Sequence, residues 1–233
     1  MGNEMFRFRQ FEVCQERCAM KVGTDGVLLG AWADGGKRIL DIGTGTGLLS
    51  LMMAQRFPQS RLTGIDMDAD ACRQAAENVE ASPFRDRIEI VCASLQQYAC
   101  DGLFDCIVSN PPFFVNGMKN PDSRRSMARH ADTLTYADLF DGVGRLLHGN
   151  GIFSVVIPSE CLDRLLEEAF LHGFYPTRRI AVRTTPRKQP RRYLLSFSRE
   201  SIGVVTDADV VLQQADGSRS EWYQTLTAEF YLW

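Results

Sequence analysis

From residue 38 onward, short apolar runs alternate with stretches in which apolar residues recur every three to four positions, and few folds accept that alternation. The runs at 38–42, 61–66, 87–92, 104–109 and 151–157 are nearly continuous in hydrophobic character, as strands covered on both faces are. The stretches at 47–56, 68–81, 134–147 and 159–172 have helical spacing, and polar starters such as Asp68 and Ser159 stand at their beginnings. The expected fold is α/β, a mostly parallel sheet with helices on both faces. After Gly173 two further strand-like runs, 175–182 and 193–198, are joined by a polar connection instead of a helix, which predicts an antiparallel hairpin at the sheet edge and seven strands in all. At the other end, residues 5–20 alternate around Gln15-Glu16-Arg17 and read as an exposed hairpin. With no repeat and no long linker, residues 1–233 are expected to form one domain, with 1–30 as an N-terminal appendage to a core of 31–233.

Composition narrows the function. No run of ~18 apolar residues occurs, and the first thirty positions carry Glu4, Arg7, Arg9, Glu12, Glu16, Arg17, Lys21 and Asp25, so neither a membrane span nor a secretory signal is expected. The expectation is a soluble, cytoplasmic protein with no membrane partner and no obligate protein partner. Seven cysteines without a Cys-x-x-Cys pair suit reduced thiols better than disulfides or zinc, and Cys92 and Cys106, inside apolar runs, are expected to pack as small hydrophobes. A net charge of -3 excludes a globally basic nucleic-acid binder and leaves room for a local basic face.

Three motifs carry chemistry. Asp41-Ile42-Gly43-Thr44-Gly45-Thr46-Gly47 follows the first apolar run and opens a helical stretch. Glycines there permit a tight turn and close approach of backbone NH groups to a ligand. A dinucleotide fingerprint needs a third glycine where Leu48 stands, whereas Gly-x-Gly-x-Gly behind an acid resembles the first motif of S-adenosylmethionine-dependent methyltransferases. Asp66 ends the second run, where a carboxylate accepts ribose hydroxyls; by itself it also reads as a helix cap. Ser109-Asn110-Pro111-Pro112-Phe113 follows the fourth run. Its prolines hold the backbone extended, Asn110 and the Pro111 carbonyl offer acceptors for a planar NH2 group, and Phe113 offers a stacking face. Asn110, Pro111 and Phe113 are therefore the candidate catalytic residues, and no metal is needed.

Arg178, Arg179, Arg183, Arg187, Lys188, Arg191 and Arg192 crowd one region without an intervening acid, a pattern that tracks phosphates or simply forms a solvated loop. Arg124, Arg125, Arg129 and His130 extend the same basic character behind the Asn-Pro-Pro-Phe element.

The glycine loop, Asp66 and Asn110 to Phe113 resemble the methyltransferases that modify adenine N6 or glutamine side chains. Three further stretches, MKVGTDGVLLGAW at 20–32, Met127-Ala128-Arg129-His130 and Phe230-Tyr231-Leu232, resemble the bacterial tRNA1(Val) adenine-37 N6-methyltransferase family. The resemblance implies a Rossmann-like class I methyltransferase fold, S-adenosylmethionine as methyl donor with S-adenosylhomocysteine as product, and a tRNA adenine as acceptor. It implies that Lys21, Thr24 and Asp25 form a lid over the cofactor and that Asp41, Gly43, Gly45 and Gly47 cradle its methionine part. Asp66 then takes the ribose, Asn110 and Phe113 hold the base, and Arg129, His130, Arg183, Arg187, Lys188, Arg191 and Arg192 face RNA. Ser94 stands where many such enzymes place an acid for the cofactor's adenine. Glutamine methylation of a protein, or a non-catalytic RNA-binding module on the same fold, are the alternatives; the first is disfavoured by Phe113 where those enzymes carry Tyr.

Overall fold

The first strand of the large sheet, Arg38–Ile42 (β3), is flanked by Arg61–Asp66 (β4) and Phe104–Ser109 (β6), both parallel to it. The structure is a computed structural model that describes residues 5–18, 21–112, 134–201, 203 and 205–232. Beyond β4 lies Ile88–Cys92 (β5), and beyond β6 lies Leu147–Pro158 (β7), again parallel. The chain thus builds outward from β3 to β5, then returns to the other side of β3 as β6. This reversal opens a crevice at the C-terminal ends of β3 and β6, the place where ligands bind in such sheets.

Past β7 the sheet continues with Arg192–Ser198 (β9), Tyr175–Arg183 (β8) and Thr206–Val211 (β10), and only β9 runs against the others. The full order is β10-β8-β9-β7-β6-β3-β4-β5, eight strands in place of the seven expected. The β8–β9 hairpin forms as expected but lies inside the sheet, because β10 pairs with β8 and takes the edge. Strand β10 escapes a search for buried runs because its alternation is acidic. Asp207 pairs with Arg179 at 2.6 Å and Asp209 pairs with Arg183, a cross-strand arrangement fitted to an exposed edge.

Successive residues of each inner strand enter opposite cores, which is why the strands read as continuous apolar runs. Ile39, Cys106 and Val108 join Thr24–Trp32 (α1) and Leu48–Arg56 (α2) on one face. Leu40, Ile42 and Ile107 join Tyr136–Leu146 (α4) and Leu162–Leu171 (α5) on the other. Ala69–Glu80 (α3) buries Val79 in the first core. Helices α1 and α2 touch closely at Gly30, where a Cβ would lie 2.7 Å from Met52 Sδ. A last helix, Glu221–Thr227 (α6), is capped by Ser220, whose hydroxyl accepts from the Tyr223 NH.

Two expectations change. Met5–Arg7 (β1) and Glu12–Cys14 (β2) do form a hairpin, but it turns at Phe8 to Phe11, where Phe8 N donates to Phe11 O, and not at Gln15 to Arg17. Nor is it exposed, since Phe8, Phe11 and Val13 are buried. Phe8 stacks on Phe11 with centroids 4.7 Å apart and on Tyr231 at 5.9 Å, while the Arg9 NH donates to Phe230 O, so the hairpin and the C-terminal residues clasp each other. Of the two cysteines expected to pack as hydrophobes, Cys106 is buried whereas Cys92, at the end of β5, is exposed.

If the hairpin belongs to the core, Phe8→Ala should destabilise the protein by about 3 kcal/mol, the ordinary loss for emptying a buried aromatic site. Equilibrium urea unfolding measures this, and an unmoved midpoint would return the hairpin to the status of an appendage.

Candidate active site

The glycine loop owes its shape to positive backbone angles, with φ of 71° at Gly43, 55° at Gly45 and 81° at Gly47. Side chains rarely tolerate such values, and at Gly43 and Gly45 a Cβ would enter open space, so the glycines serve a curved backbone that faces outward. The loop is pinned from below. Gly43 N and Thr44 N both donate to Ile65 O at 2.9 Å, and Gly45 N donates to Asp66 Oδ2 at 2.9 Å. Gly47 then starts α2 without a side-chain cap.

Asp41 is the internal brace. Its Oδ2 accepts from Thr44 Oγ1 at 2.6 Å, Ser50 Oγ at 2.9 Å and Ser50 N at 3.1 Å. Burial pushes this carboxyl up to about 6, against the pull of the hydrogen bonds from Thr44 and Ser50, and the nearby Asp66 charge adds to the rise. Asp41, expected among the cofactor contacts, is buried beneath the loop, and its Oδ1 has no partner among the described residues.

Asp66 stands half-buried at the end of β4; Oδ1 accepts from Asp68 N at 3.0 Å while Oδ2 holds Gly45. Each oxygen keeps a further lone pair for a hydroxyl. Ser94 lies just beyond β5, in a turn closed by Gln97 N and Tyr98 N donating to Ser94 O. Because Asp66 pairs in register with Cys92, Ser94 neighbours the Asp66 end of the crevice.

Asn110 follows β6, whose last residue ties to β3 through Ser109 Oγ donating to Ile42 O at 2.8 Å. The Asn110 Oδ1 atom is buried and has no partner among the described residues. Pro111 is buried beside it. Phe113, Arg124, Arg125, Arg129 and His130 lie outside the described residues. The segment expected as a lid is divided: Lys21 is exposed, while Thr24 and Asp25 are half-buried in the first turn of α1. Gln15 holds this segment by accepting from Val22 N at 2.7 Å.

Sequence reasoning missed several residues that shape the site. Asn78 of α3 accepts from Cys14 N and donates to Cys14 O and to Thr46 O, joining the N-terminal hairpin to the glycine loop. A poor helix former inside a stretch of helical spacing was its available signal. Thr44 in the loop and Ser50 in α2 are the other two, held to Asp41 by hydrogen bonds that the sequence does not announce.

The basic cluster is largely compensated by acids distant in sequence. Arg178 pairs with Asp34 at 2.6 Å and lies 4.1 Å from the Trp32 ring centroid, Arg179 and Arg183 pair with β10, and Arg192 meets Asp25 at 2.5 Å. Arg183 and Arg192, expected to face RNA, each carry an acidic partner. Arg187, Lys188 and Arg191 are exposed and carry no ion pair among the described residues. They belong to the connection from β8 to β9, which emerges where Arg192 pairs with Pro158 at the C-terminal end of β7, on the same sheet edge as Asn110.

Residues 23–170 match the family described as Methyltransferase small domain. The chain is 47% identical over 235 residues to the tRNA1(Val) (adenine(37)-N6)-methyltransferase of Bacteroides thetaiotaomicron, covering 100% of this chain and 99% of that protein. It is 41% identical over 235 residues to the protein of the same name from Tolumonas auensis, with 100% and 98% covered. Among solved structures, a protein described as a predicted O-methyltransferase from Agrobacterium tumefaciens superposes with a TM-score of 0.71 at 18% identity, covering 88% of this chain and 96% of that one. The glycopeptide N-methyltransferase MtfA, complexed with S-adenosylmethionine, gives 0.57 at 13% identity, covering 77% of this chain and 100% of that one. These structures share the methyltransferase fold.

The raised Asp41 carboxyl predicts a pH signature. A carboxyl whose value rises on folding opposes stability once ionised: the cost is absent below the unfolded value near ~4 and is complete above the folded value. Asp41→Asn should therefore gain stability relative to the parent as pH rises from about 4 to about 6, by on the order of 3 kcal/mol. Urea unfolding of both proteins across that range checks it; a pH-independent difference would show that Asp41 does not titrate there.

Proposed function

The chain belongs to the tRNA1(Val) (adenine(37)-N6)-methyltransferase family, and we propose that it methylates the N6 amino group of adenine 37 in tRNA1(Val), with S-adenosylmethionine as donor. The observation that carries the site assignment is the buried Oδ1 of Asn110, unpartnered among the described residues, just beyond the paired C-terminal ends of β3 and β6. An unsatisfied buried carbonyl oxygen costs free energy, so its retention is explained by a donor that arrives with the ligand.

The residues present fit the cofactor. Gly43 and Gly45 leave open space over a curved backbone, and Asp66 retains lone pairs for ribose hydroxyls at the adjacent strand end. In this reading Ser94, just beyond the strand paired with Asp66, accepts a hydrogen bond from the cofactor's adenine. When bound, S-adenosylmethionine supplies an electrophilic methyl group on a sulfonium.

The chain's own contribution is orientation and electrostatics. The adenine amino lone pair is delocalised into the ring, and acceptors for both amino protons favour the pyramidal, more nucleophilic nitrogen. Asn110 Oδ1 and the Pro111 carbonyl are those acceptors in this reading, and Phe113 stacks on the base. Arg187, Lys188 and Arg191 meet phosphates of the anticodon loop from the same sheet edge, where an unpaired adenine is cheaper to extrude than one stacked in a duplex. A tRNA substrate also supports a cytoplasmic location. Likeness along the whole chain to proteins named for tRNA weighs against the glutamine alternative.

Nucleoside mass spectrometry of tRNA incubated with protein and S-adenosylmethionine tests the activity; N6-methyladenosine should form. Asn110→Ala should lower the single-turnover rate by about two to three powers of ten, the range for one lost preorganised contact, with S-adenosylmethionine affinity within about twofold. Parental turnover in that variant would contradict the amino-group role.

A further inference from the structure

The ion pair between Asp25 and Arg192 joins two parts of the molecule that the proposed reaction must coordinate. Asp25 lies in the first turn of α1, and its carboxylate meets the Arg192 guanidinium at 2.5 Å with both side chains largely shielded, 32% and 23% exposed. Arg192 Nε and Asp25 Oδ1 face each other directly, and neither atom has another partner among the described residues. Burial pushes the Asp25 carboxyl up and the Arg192 charge draws it back. Such a pair stabilises a fold poorly, since desolvation offsets most of the attraction.

Its placement suggests another use. The next residue, Gly26, is wedged against the site: a Cβ there would lie 2.9 Å from Leu48 Cδ2, at the first residue of α2, and 3.9 Å from Asn110 Nδ2. The first turn of α1 therefore bears on both the helix behind the glycine loop and the Asn110 amide. Arg192 opens β9, pairs in register with Pro158 and Val182, and follows Arg191, whose NH donates to Val182 O and whose carbonyl accepts from Ser159 N. It is the anchored end of the connection that carries Arg187, Lys188 and Arg191.

We infer that Arg192, through Asp25, is a positioning residue that holds the first turn of α1 against Asn110 and links the RNA-facing connection to the methyl-transfer site. The inference rests on the activity proposed above. It removes Arg192 from the set of phosphate contacts: its Nε is engaged by Asp25 and its side chain is largely shielded, whereas the three cations before it are exposed.

The test uses the full chain, saturating tRNA and single-turnover rates, together with tRNA affinity against salt. Arg192→Gln should slow methyl transfer at least about tenfold, as a small misplacement of a reacting group does, while tRNA and S-adenosylmethionine dissociation constants stay within about twofold. Asp25→Asn should slow it similarly, and the double variant no further, because residues acting through one contact lose it only once. Arg192→Lys, which keeps the charge and the fold, should recover part of the rate. Arg187→Gln with Lys188→Gln should instead weaken tRNA binding and flatten its salt dependence. The inference is overturned if Arg192→Gln transfers methyl at the parental rate, if it flattens the salt dependence as the loop variant does, or if the Asp25 and Arg192 losses simply add. A parent chain that methylates no tRNA would overturn the activity reading and this inference with it; a methylating parent confines any failure to the pair.

Discussion

One carboxylate oxygen organises the ligand-facing edge of this protein. Asp41 Oδ2 gathers the Thr44 hydroxyl and the Ser50 hydroxyl and NH, which ties the end of β3, the glycine loop and the first turn of α2 into one unit. Enclosing a charge is costly, and the cost shows in the raised carboxyl, yet the helix start and the three donors hold the group in place. With the loop curved in this way, Gly45 reaches Asp66 on β4, and α2 presents Met52 for the close approach of α1 at Gly30. Helix α1 in turn brings Gly26 to Asn110. The glycine loop, Asp66 and Asn110 are thus connected through packing as well as through the sheet.

The inner strands were legible because burial on both faces leaves little room for polar residues: β3, β4 and β6 begin and end where the apolar runs do. The elements that were missed answer to other forces. Strand β10 is held by Asp207 and Asp209 on arginines of β8, a pattern that resembles a polar loop until its partner is known. The N-terminal hairpin was located but its environment was misread, since its phenylalanines pack on Tyr231 and Phe84, far away in sequence. Helix α1 was hidden inside the stretch assigned to a lid by resemblance, and its buried Val27, Leu28 and Leu29 belong to the core.

The site shows the same division. Glycine spacing, the acid after β4 and the Asn-Pro-Pro-Phe element were readable because each follows a strand whose end is set by hydrophobic pattern. Charge was not readable by proximity in sequence. Seven cations in a row of residues without an acid are reduced by Asp25, Asp34, Asp207 and Asp209, all contributed by other elements, to Arg187, Lys188 and Arg191. A cavity of about 290 Å³ opens at the opposite, N-terminal edge of the sheet beside Arg38, Arg61 and Arg87, with Asp86 and Glu89 among its walls. Its position away from the glycine loop and Asn110 separates it from the chemistry, even though it too is lined by arginines.

The central claim is that cofactor and RNA meet at one edge of the sheet. Backbone amide chemical shifts, recorded on titration with S-adenosylhomocysteine and then with an anticodon stem-loop of tRNA1(Val), test it most directly. The first ligand should move Gly43, Gly45, Asp66 and Asn110 and the second Arg187, Lys188 and Arg191, with Asn110 responding to both. Stem-loop shifts concentrated at Arg38, Arg61 and Arg87, with the β8–β9 connection silent, would contradict it.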